Sequence, residues 1–259
     1  MKIAYFDAFS GIAGDMTVAA LIDAGAGTQP LFEALDSLGT GARFRAEKVK
    51  RKGIAATRFL VEHEDQQKHR HLPHIVKMIE ASRLTDRAKQ NAVKVFEALG
   101  AAEAEVHGVP IEKVHFHEVG AVDSICDIAG ACQALDLLGV ERVYASKVNT
   151  GSGTVEADHG VMPVPTPATA LLLKGVPVYA RGPETELTTP TGAAILAALC
   201  EGFGPMPPLV IERAGFGAGA KDFPAMANVL RVLVGEAGTA REAALVYVIE
   251  ANIDDATPE

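Results

Sequence analysis

The strongest constraint on the fold of this chain is a β-hairpin signal in a sequence that otherwise alternates strands with helices. Two strand-like runs, 43–50 and 54–62, are joined by the glycine-containing turn 51–53. Further strand-like runs at 2–6 and 142–148 adjoin segments of helical periodicity instead. A hairpin requires antiparallel pairing, whereas strand–helix alternation favours parallel pairing. We therefore predict an α+β (mixed α/β) fold with a mixed sheet and flanking helices.

Apolar residues recur at helical spacing in several other parts of the chain. The first predicted helix ends near residue 24. The other predicted helices cover 29–38, 72–81, 86–99, 122–138, 168–174 and 191–200. Strand-like runs at 229–234 and 245–250 are separated by a polar, linker-like stretch. We expect residues 1–238 to form one domain, and residues 239–259 to hold a linker and the first strand of a truncated C-terminal domain.

Composition narrows the classes of function. The net charge is −9 and no basic cluster exceeds that at 48–52, so we expect no nucleic-acid partner. The cysteines Cys126, Cys132 and Cys200 lie in apolar helical patterns and are expected to be reduced core residues. Asp7 interrupts the first apolar run, and no apolar stretch approaches the ~20 residues that span a bilayer. We expect a cytoplasmic protein without membrane contact.

The densest group of ionisable side chains lies at 115–127, where a strand-like run leads into a helix. If that run is extended, His115 and His117 lie on the same side of it. Asp123 and Asp127 are four residues apart, so a helix carries both on one face. Neutral imidazole and carboxylate suit divalent transition metals, and such clusters mark sites. The alternative is that the aspartates complement a helix N-terminus and the histidines are ordinary loop residues.

A glycine-rich turn follows the first predicted strand and contains Asp7, Ser10, Gly11, Gly14 and Asp15. Glycines allow backbone N–H groups to approach a ligand, and a helix N-terminus favours anions. Two acids at the same turn disfavour a bare phosphate but suit a metal-bridged one. The turn matches neither a dinucleotide fingerprint nor a P-loop. The alternative is a tight turn in which Asp15 only starts a helix.

Two further loops lead into predicted helices and are rich in small or hydroxyl residues, which makes an anionic-ligand pocket a second hypothesis. The candidate residues are Gly151, Gly153 and His159 in the first loop, and Thr188, Thr189 and Thr191 in the second. The alternative for each loop is a helix cap and a turn without a ligand.

Four of the eight histidines lie within twelve residues, at His63, His69, His71 and His74. Such a tract can bind nickel, zinc or copper, and we select His69 and His71 as candidate metal ligands. The alternative is a solvated polar loop.

Five segments together resemble the LarC-type nickel insertion proteins. They are 6–16, the histidine tract, 114–125, 159–165 and 186–192, which occur in the family's order and span nearly the whole chain. The resemblance implies a nickel chelatase, or cyclometallase, of the lyase class. Such proteins insert Ni²⁺ into pyridinium-3,5-bisthiocarboxylic acid mononucleotide and form one carbon–nickel and two sulfur–nickel bonds. This is the last step of nickel-pincer cofactor biosynthesis.

The resemblance also implies cofactors and partners. CTP is used with Mg²⁺ or Mn²⁺, in a C-terminal domain that we expect to begin near the last residues of this chain. The product would pass to a racemase or epimerase apoenzyme, and a homo-oligomer stays open.

Metallation of a ring carbon releases a proton, and His117, Glu118 and Asp123 are the candidate bases. The candidate metal ligands are Asp7, Asp15, His69, His71, His115, His117 and Asp127. The mononucleotide phosphate would bind at the glycine- and threonine-rich helix starts. Two other classes of function stay open. A metal-dependent phosphohydrolase would use these groups to activate water on a nucleotide. A non-catalytic nickel carrier would bind the ion without metallating the pyridinium ligand.

Overall fold

The computed structural model describes residues 1–63, 71–114, 122–157 and 159–238. The strands in chain order are β1 (Lys2–Asp7), β2 (Arg43–Arg51), β3 (Ile54–Glu62), β4 (Arg142–Ala145), β5 (Val148–Asn149), β6 (Thr154–Ala157), β7 (Gly160–Pro163), β8 (Val178–Tyr179), β9 (Cys200–Phe203), β10 (Leu209–Ala218) and β11 (Val229–Ala237). The α-helices are α1 (Gly14–Asp23), α2 (Thr28–Asp36), α3 (Leu72–Ala81), α4 (Asp86–His107), α5 (Val122–Leu137), α6 (Pro167–Leu172) and α7 (Pro190–Leu199), and Ile111–Lys113 is a short 3-10 helix.

Seven strands form one mixed sheet in the order β2-β3-β10-β11-β1-β4-β9. Strands β2 and β3 form the predicted hairpin, with Arg51 opposite Ile54. Strands β10, β11 and β1 pair antiparallel, whereas β1, β4 and β9 pair parallel. The α+β class with a mixed sheet and flanking helices is therefore confirmed. The hairpin and the strand–helix alternation each contribute one part of the sheet.

The core lies where helices cover the sheet, and α5 is its central helix. Nearly every residue from Val122 to Leu135 is buried, because α5 packs against α1, α2, α4 and α7. Cys126 and Cys132 are buried free thiols, and burial raises the pKa of Cys132 to about 12. These cysteines are therefore core residues, as their apolar surroundings predict.

Helix α1 packs directly on the backbone of β10. A Cβ atom at Gly217 would lie 1.9 Å from the Met16 carbonyl oxygen, and one at Gly215 would lie 2.1 Å from that of Ala20. Neither position can hold a side chain without moving the helix. This contact fixes the start of α1 relative to the sheet.

Several elements differ from the sequence-based prediction. Helix α4 continues eight residues beyond Leu99, because the following alanines and glutamates are helix formers, and it ends at Gly108 with a φ of 63°. The predicted strand 142–148 splits into β4 and β5, which belong to different sheets. Strands β6, β7, β8, β9 and β10 were not predicted.

The predicted linker and strand at 239–259 lie outside the described residues, so the domain boundary stays a prediction. Within the described ranges, no helix is both long enough and apolar enough to cross a membrane.

We expect Gly217→Ala to lower the free energy of unfolding by about 2 kcal/mol or more, because the added methyl group overpacks the contact between α1 and β10. Gly202→Ala is the matched control, since its Cβ would lie 3.4 Å from the Tyr144 ring, an ordinary contact. Urea denaturation of both variants measures the difference. Equal losses in the two variants would show that the helix contact is not the cause.

Candidate functional site

A cavity of about 260 Å³ lies where the starts of α1 and α7 meet the second turn of α5. Its lining consists of carboxylates, hydroxyls and the first residues of two helices. These residues are Ala13, Gly14, Asp15, Asp127, Glu186, Thr189, Pro190 and Thr191. Five of them were singled out from the sequence as candidate site residues, and the fold brings those five together from segments far apart in the chain.

Gly14 allows the three helices to meet. A Cβ atom at this position would lie 2.6 Å from the Asp127 Cβ and 2.8 Å from the Thr191 Cγ2. A Cβ at Gly192 would similarly lie 2.2 Å from the Ile12 carbonyl oxygen. The backbone N–H of Thr189 donates to that same oxygen at 3.0 Å. The two helix starts are therefore held together by backbone contacts.

The two helix starts are capped differently. The Thr189 hydroxyl accepts a hydrogen bond from the Gly192 N–H at 3.2 Å, and Pro190 occupies the first turn of α7. This is the threonine–proline helix start typical of a capped N-terminus. Helix α1 begins after Ala13, whose side chain provides no cap. The Asp15 carboxylate accepts from the Met16 N–H at 2.7 Å instead.

Asp127 is a buried carboxylate with an unsatisfied oxygen. The residue is 8% exposed, and its Oδ1 has no hydrogen-bond partner among the described residues. Burial raises the pKa of Asp127 well above its ordinary value, and the charges of Asp15 and Asp123 raise it further. A hydrogen bond from the Asp15 backbone opposes the rise. A proton or a cation is therefore strongly favoured at this carboxylate.

Asp15 has a similar environment, although the residue keeps some exposure. Burial of its carboxyl group raises the pKa, and Asp123 adds to the rise. The hydrogen bond from Met16 and the positive charge of Arg58 act in the opposite direction. Asp15, Asp123 and Asp127 therefore form one electrostatic group around the start of α5.

A histidine joins this group on its exposed side. The His63 Nε2 lies 2.7 Å from Asp123 Oδ1, at the end of β3. The Asp123 side chain is 57% exposed, so this pair faces solvent, whereas Asp127 one turn later is buried. The first two turns of α5 thus present an imidazole–carboxylate pair followed by a buried carboxylate.

The predicted ligands His69, His115, His117 and Glu118 lie outside the described residues. The residues that flank them are described and lie close together. His63 and Asp123 are in contact, and the His71 Nδ1 lies 3.1 Å from the Val114 carbonyl oxygen. The described residues on either side of 64–70 therefore contact the described residues on either side of 115–121.

Asp7 and His159 lie apart from the cavity. Asp7 forms an ion pair with Arg231 across neighbouring strands. The His159 ring lies 5.0 Å from that of His107, at the end of α4.

The remaining candidates hold loops together behind the cavity. Gly11 has a φ of 78°, and its Cβ would lie 2.0 Å from the Leu187 carbonyl oxygen. Gly151 approaches Thr185 in the same way, while the Thr188 hydroxyl donates to the Asn149 carbonyl at 2.7 Å. The other two are Gly153, which contacts Glu184, and Ser10, whose fully buried hydroxyl has no partner among the described residues.

Three residues of this region were not selected from the sequence. Glu186 lines the cavity and lies 3.3 Å from the Thr166 hydroxyl. His63 pairs with Asp123, and Arg58 acts on Asp15. Both His63 and Glu186 fall within segments that the sequence marked, whereas nothing in the strand pattern distinguishes Arg58.

The arrangement can hold a cation but does not enclose one. No group of three or more His, Cys, Asp or Glu within the described ranges has the geometry to bind a metal ion by itself. A cation at Asp15 and Asp127 would therefore need ligands from a bound molecule or from residues outside those ranges.

We expect Asp127→Asn to stabilise the protein at neutral and alkaline pH. A carboxyl group whose pKa is raised by folding contributes stability at low pH, and this contribution is lost as the pH rises through the folded-state pKa. Asparagine does not titrate, so the advantage of the variant should grow with pH. At pH 8 the melting temperature should rise by about 2 °C or more.

Thermal melts from pH 4 to pH 8 check this expectation. Asp36→Asn is the control, since it removes a charge from an exposed position on α2. A difference between Asp127→Asn and the unaltered protein that does not change with pH would contradict the account.

Comparison with known proteins identifies the chain's relatives. Residues 4–259 match the family described as "Nickel insertion protein". A protein of Citrifermentans bemidjiense is 54% identical over 261 residues, which cover all of this chain and 68% of the relative. A protein of Geobacter sulfurreducens is 52% identical, with the same coverage. Both carry the name "Putative nickel insertion protein". No solved structure gives a significant match. On the extent of these matches, the chain belongs to the nickel insertion protein family.

Proposed function

We propose that this protein inserts Ni²⁺ into pyridinium-3,5-bisthiocarboxylic acid mononucleotide. The observation that carries the proposal is the contact between His63 and Asp123 beside the buried Asp127. An imidazole and a carboxylate together suit a divalent transition metal. Membership of the nickel insertion family makes nickel the ion to which this pair is best matched.

Nickel is a substrate here, so its ligands must release it. His63 and Asp123 are accessible at the surface of α5, and exchange is easier there than at a buried site. We propose that His69, His71, His115 and His117 supply further ligands, because residues that flank their segments contact one another at His63–Asp123 and at His71–Val114. The two thiocarboxylate sulfurs of the substrate would then displace the protein ligands from nickel.

Formation of the carbon–nickel bond replaces a ring C–H bond and releases one proton. Asp123, His117 and Glu118 are the proposed bases, as the sequence suggests. The base that takes this proton must lie close to the nickel and must stay there during the transfer.

We further propose that the complete reaction requires CTP with Mg²⁺ or Mn²⁺. The curated relatives are longer than this chain by about a third of their length, and the CTP site would lie in that part. The product would pass to a racemase or epimerase apoenzyme in the cytoplasm.

The test is incubation of the full-length protein with NiCl₂, CTP and the bisthiocarboxylate mononucleotide, followed by mass spectrometry. We expect a product in which nickel replaces the ring proton. His63→Ala and Asp123→Asn should each reduce the yield by tenfold or more, because each removes a proposed ligand. Asp36→Asn should retain full activity.

Two results would contradict the proposal. Release of inorganic phosphate from the mononucleotide without nickel consumption would identify a phosphohydrolase. Stoichiometric nickel binding without a metallated product, in the presence of CTP, would identify a nickel carrier.

A further inference from the structure

We propose that the cavity between the starts of α1 and α7 binds the phosphate monoester of the substrate through a divalent cation of the Mg²⁺ type held by Asp15 and Asp127. The inference rests on the proposed function for the identity of the substrate, a mononucleotide. It adds a second metal position, distinct from that of the nickel that is inserted.

The carboxylate of Asp127 is poorly compensated by its protein surroundings. Asp127 is 8% exposed and lines the cavity, and its Oδ1 is a buried atom without a hydrogen-bond partner among the described residues. Asp15 and Glu186 line the same cavity. Burying carboxylates together is costly unless a cation compensates them, so the empty space beside Asp127 is suited to a cation.

The chemistry of the cavity lining indicates which kind of cation would bind. The cavity lining offers carboxylate and hydroxyl oxygens, whereas the histidine lies on the exposed side of α5. Oxygen-only surroundings favour Mg²⁺ or Mn²⁺, and imidazole favours nickel. Mg²⁺ is typically held by one or two carboxylates and completed by substrate phosphate and water.

The two helix N-termini at the cavity favour an anion, such as a phosphate, next to the cation. Helices α1 and α7 each have ten residues, and their first turns line the cavity. The dipoles of these helices favour an anion at their N-termini. The carboxylates alone would repel a phosphate. A cation bound between the carboxylates and the phosphate would allow both to lie in the same cavity.

The volume of the cavity suits the phosphate end of a mononucleotide better than the whole molecule. A volume of about 260 Å³ is below the ~300–1,000 Å³ typical of sites that enclose a whole ligand. The rest of the substrate must therefore extend outwards. Asp123 precedes Asp127 by one helical turn, about 6 Å along the axis, and pairs with His63. The phosphate and the proposed nickel position thus lie on consecutive turns of α5.

The test measures Mn²⁺ binding to the full chain by electron paramagnetic resonance, without CTP. The probe is nicotinamide mononucleotide, a pyridinium mononucleotide without thiocarboxylates, so nickel chemistry is not involved. We expect the mononucleotide to tighten Mn²⁺ binding tenfold or more, whereas nicotinamide riboside, which lacks the phosphate, should have no effect.

Variants of the lining residues test whether the effect of the mononucleotide on Mn²⁺ binding arises in this cavity. Asp127→Asn and Asp15→Asn should each abolish the tightening, and thermal melts establish that each variant is folded. His63→Ala and Asp36→Asn should preserve it, because neither residue lines the cavity. If one aspartate variant does not fold, the other carries the test.

The inference is overturned if the mononucleotide does not tighten Mn²⁺ binding, if the riboside works equally well, or if folded Asp15→Asn or Asp127→Asn retains the coupling. These results would leave nickel insertion itself intact. Conversely, normal coupling in a protein that forms no metallated product would overturn the proposed function and retain the cation site.

Discussion

The close approach of three helices at Gly14 is the contact on which the site depends. The first turn of α1 touches Asp127 on α5 and Thr191 on α7, and no side chain larger than hydrogen fits between them. Behind this contact, the glycines of β10 hold the body of α1 against the sheet. The chain therefore uses backbone packing on both sides of α1 to fix the position of one buried carboxylate.

This packing has an electrostatic consequence. Two helix N-termini favour negative charge in the cavity, yet Asp15 and Asp127 already supply it, and Asp123 adds to it from the preceding turn of α5. The Asp127 Oδ1 has no hydrogen-bond partner among the described residues, so its negative charge is poorly compensated by the protein. Binding of a cation and an anion together relieves both the repulsion and the desolvation. This relief is a physical reason for the cavity to bind a cation and an anion together.

Much of this arrangement could be predicted from the sequence, because it depends on local signals. The hairpin turn at 51–53, the Thr189–Pro190 helix start and the four-residue spacing of Asp123 and Asp127 each specify local structure. That the Thr189–Pro190 helix start lies beside Asp127 could not be predicted from these local signals, since it depends on tertiary packing. Position in the same glycine-rich turn suggested that Asp7 and Asp15 act together, but Asp7 ends β1 beside Arg231. Strand β10 was missed because its glycines, which admit α1, give no strand pattern.

The central claim is that nickel binds at His63 and Asp123 while the substrate phosphate binds one turn further along α5. Crystals grown with Ni²⁺ and the bisthiocarboxylate mononucleotide, measured on both sides of the nickel absorption edge, test it most directly. The account predicts one anomalous peak in contact with the His63–Asp123 pair and phosphate density at the starts of α1 and α7. A nickel peak elsewhere, for example at His107 and His159, with no substrate density in the cavity, would contradict it.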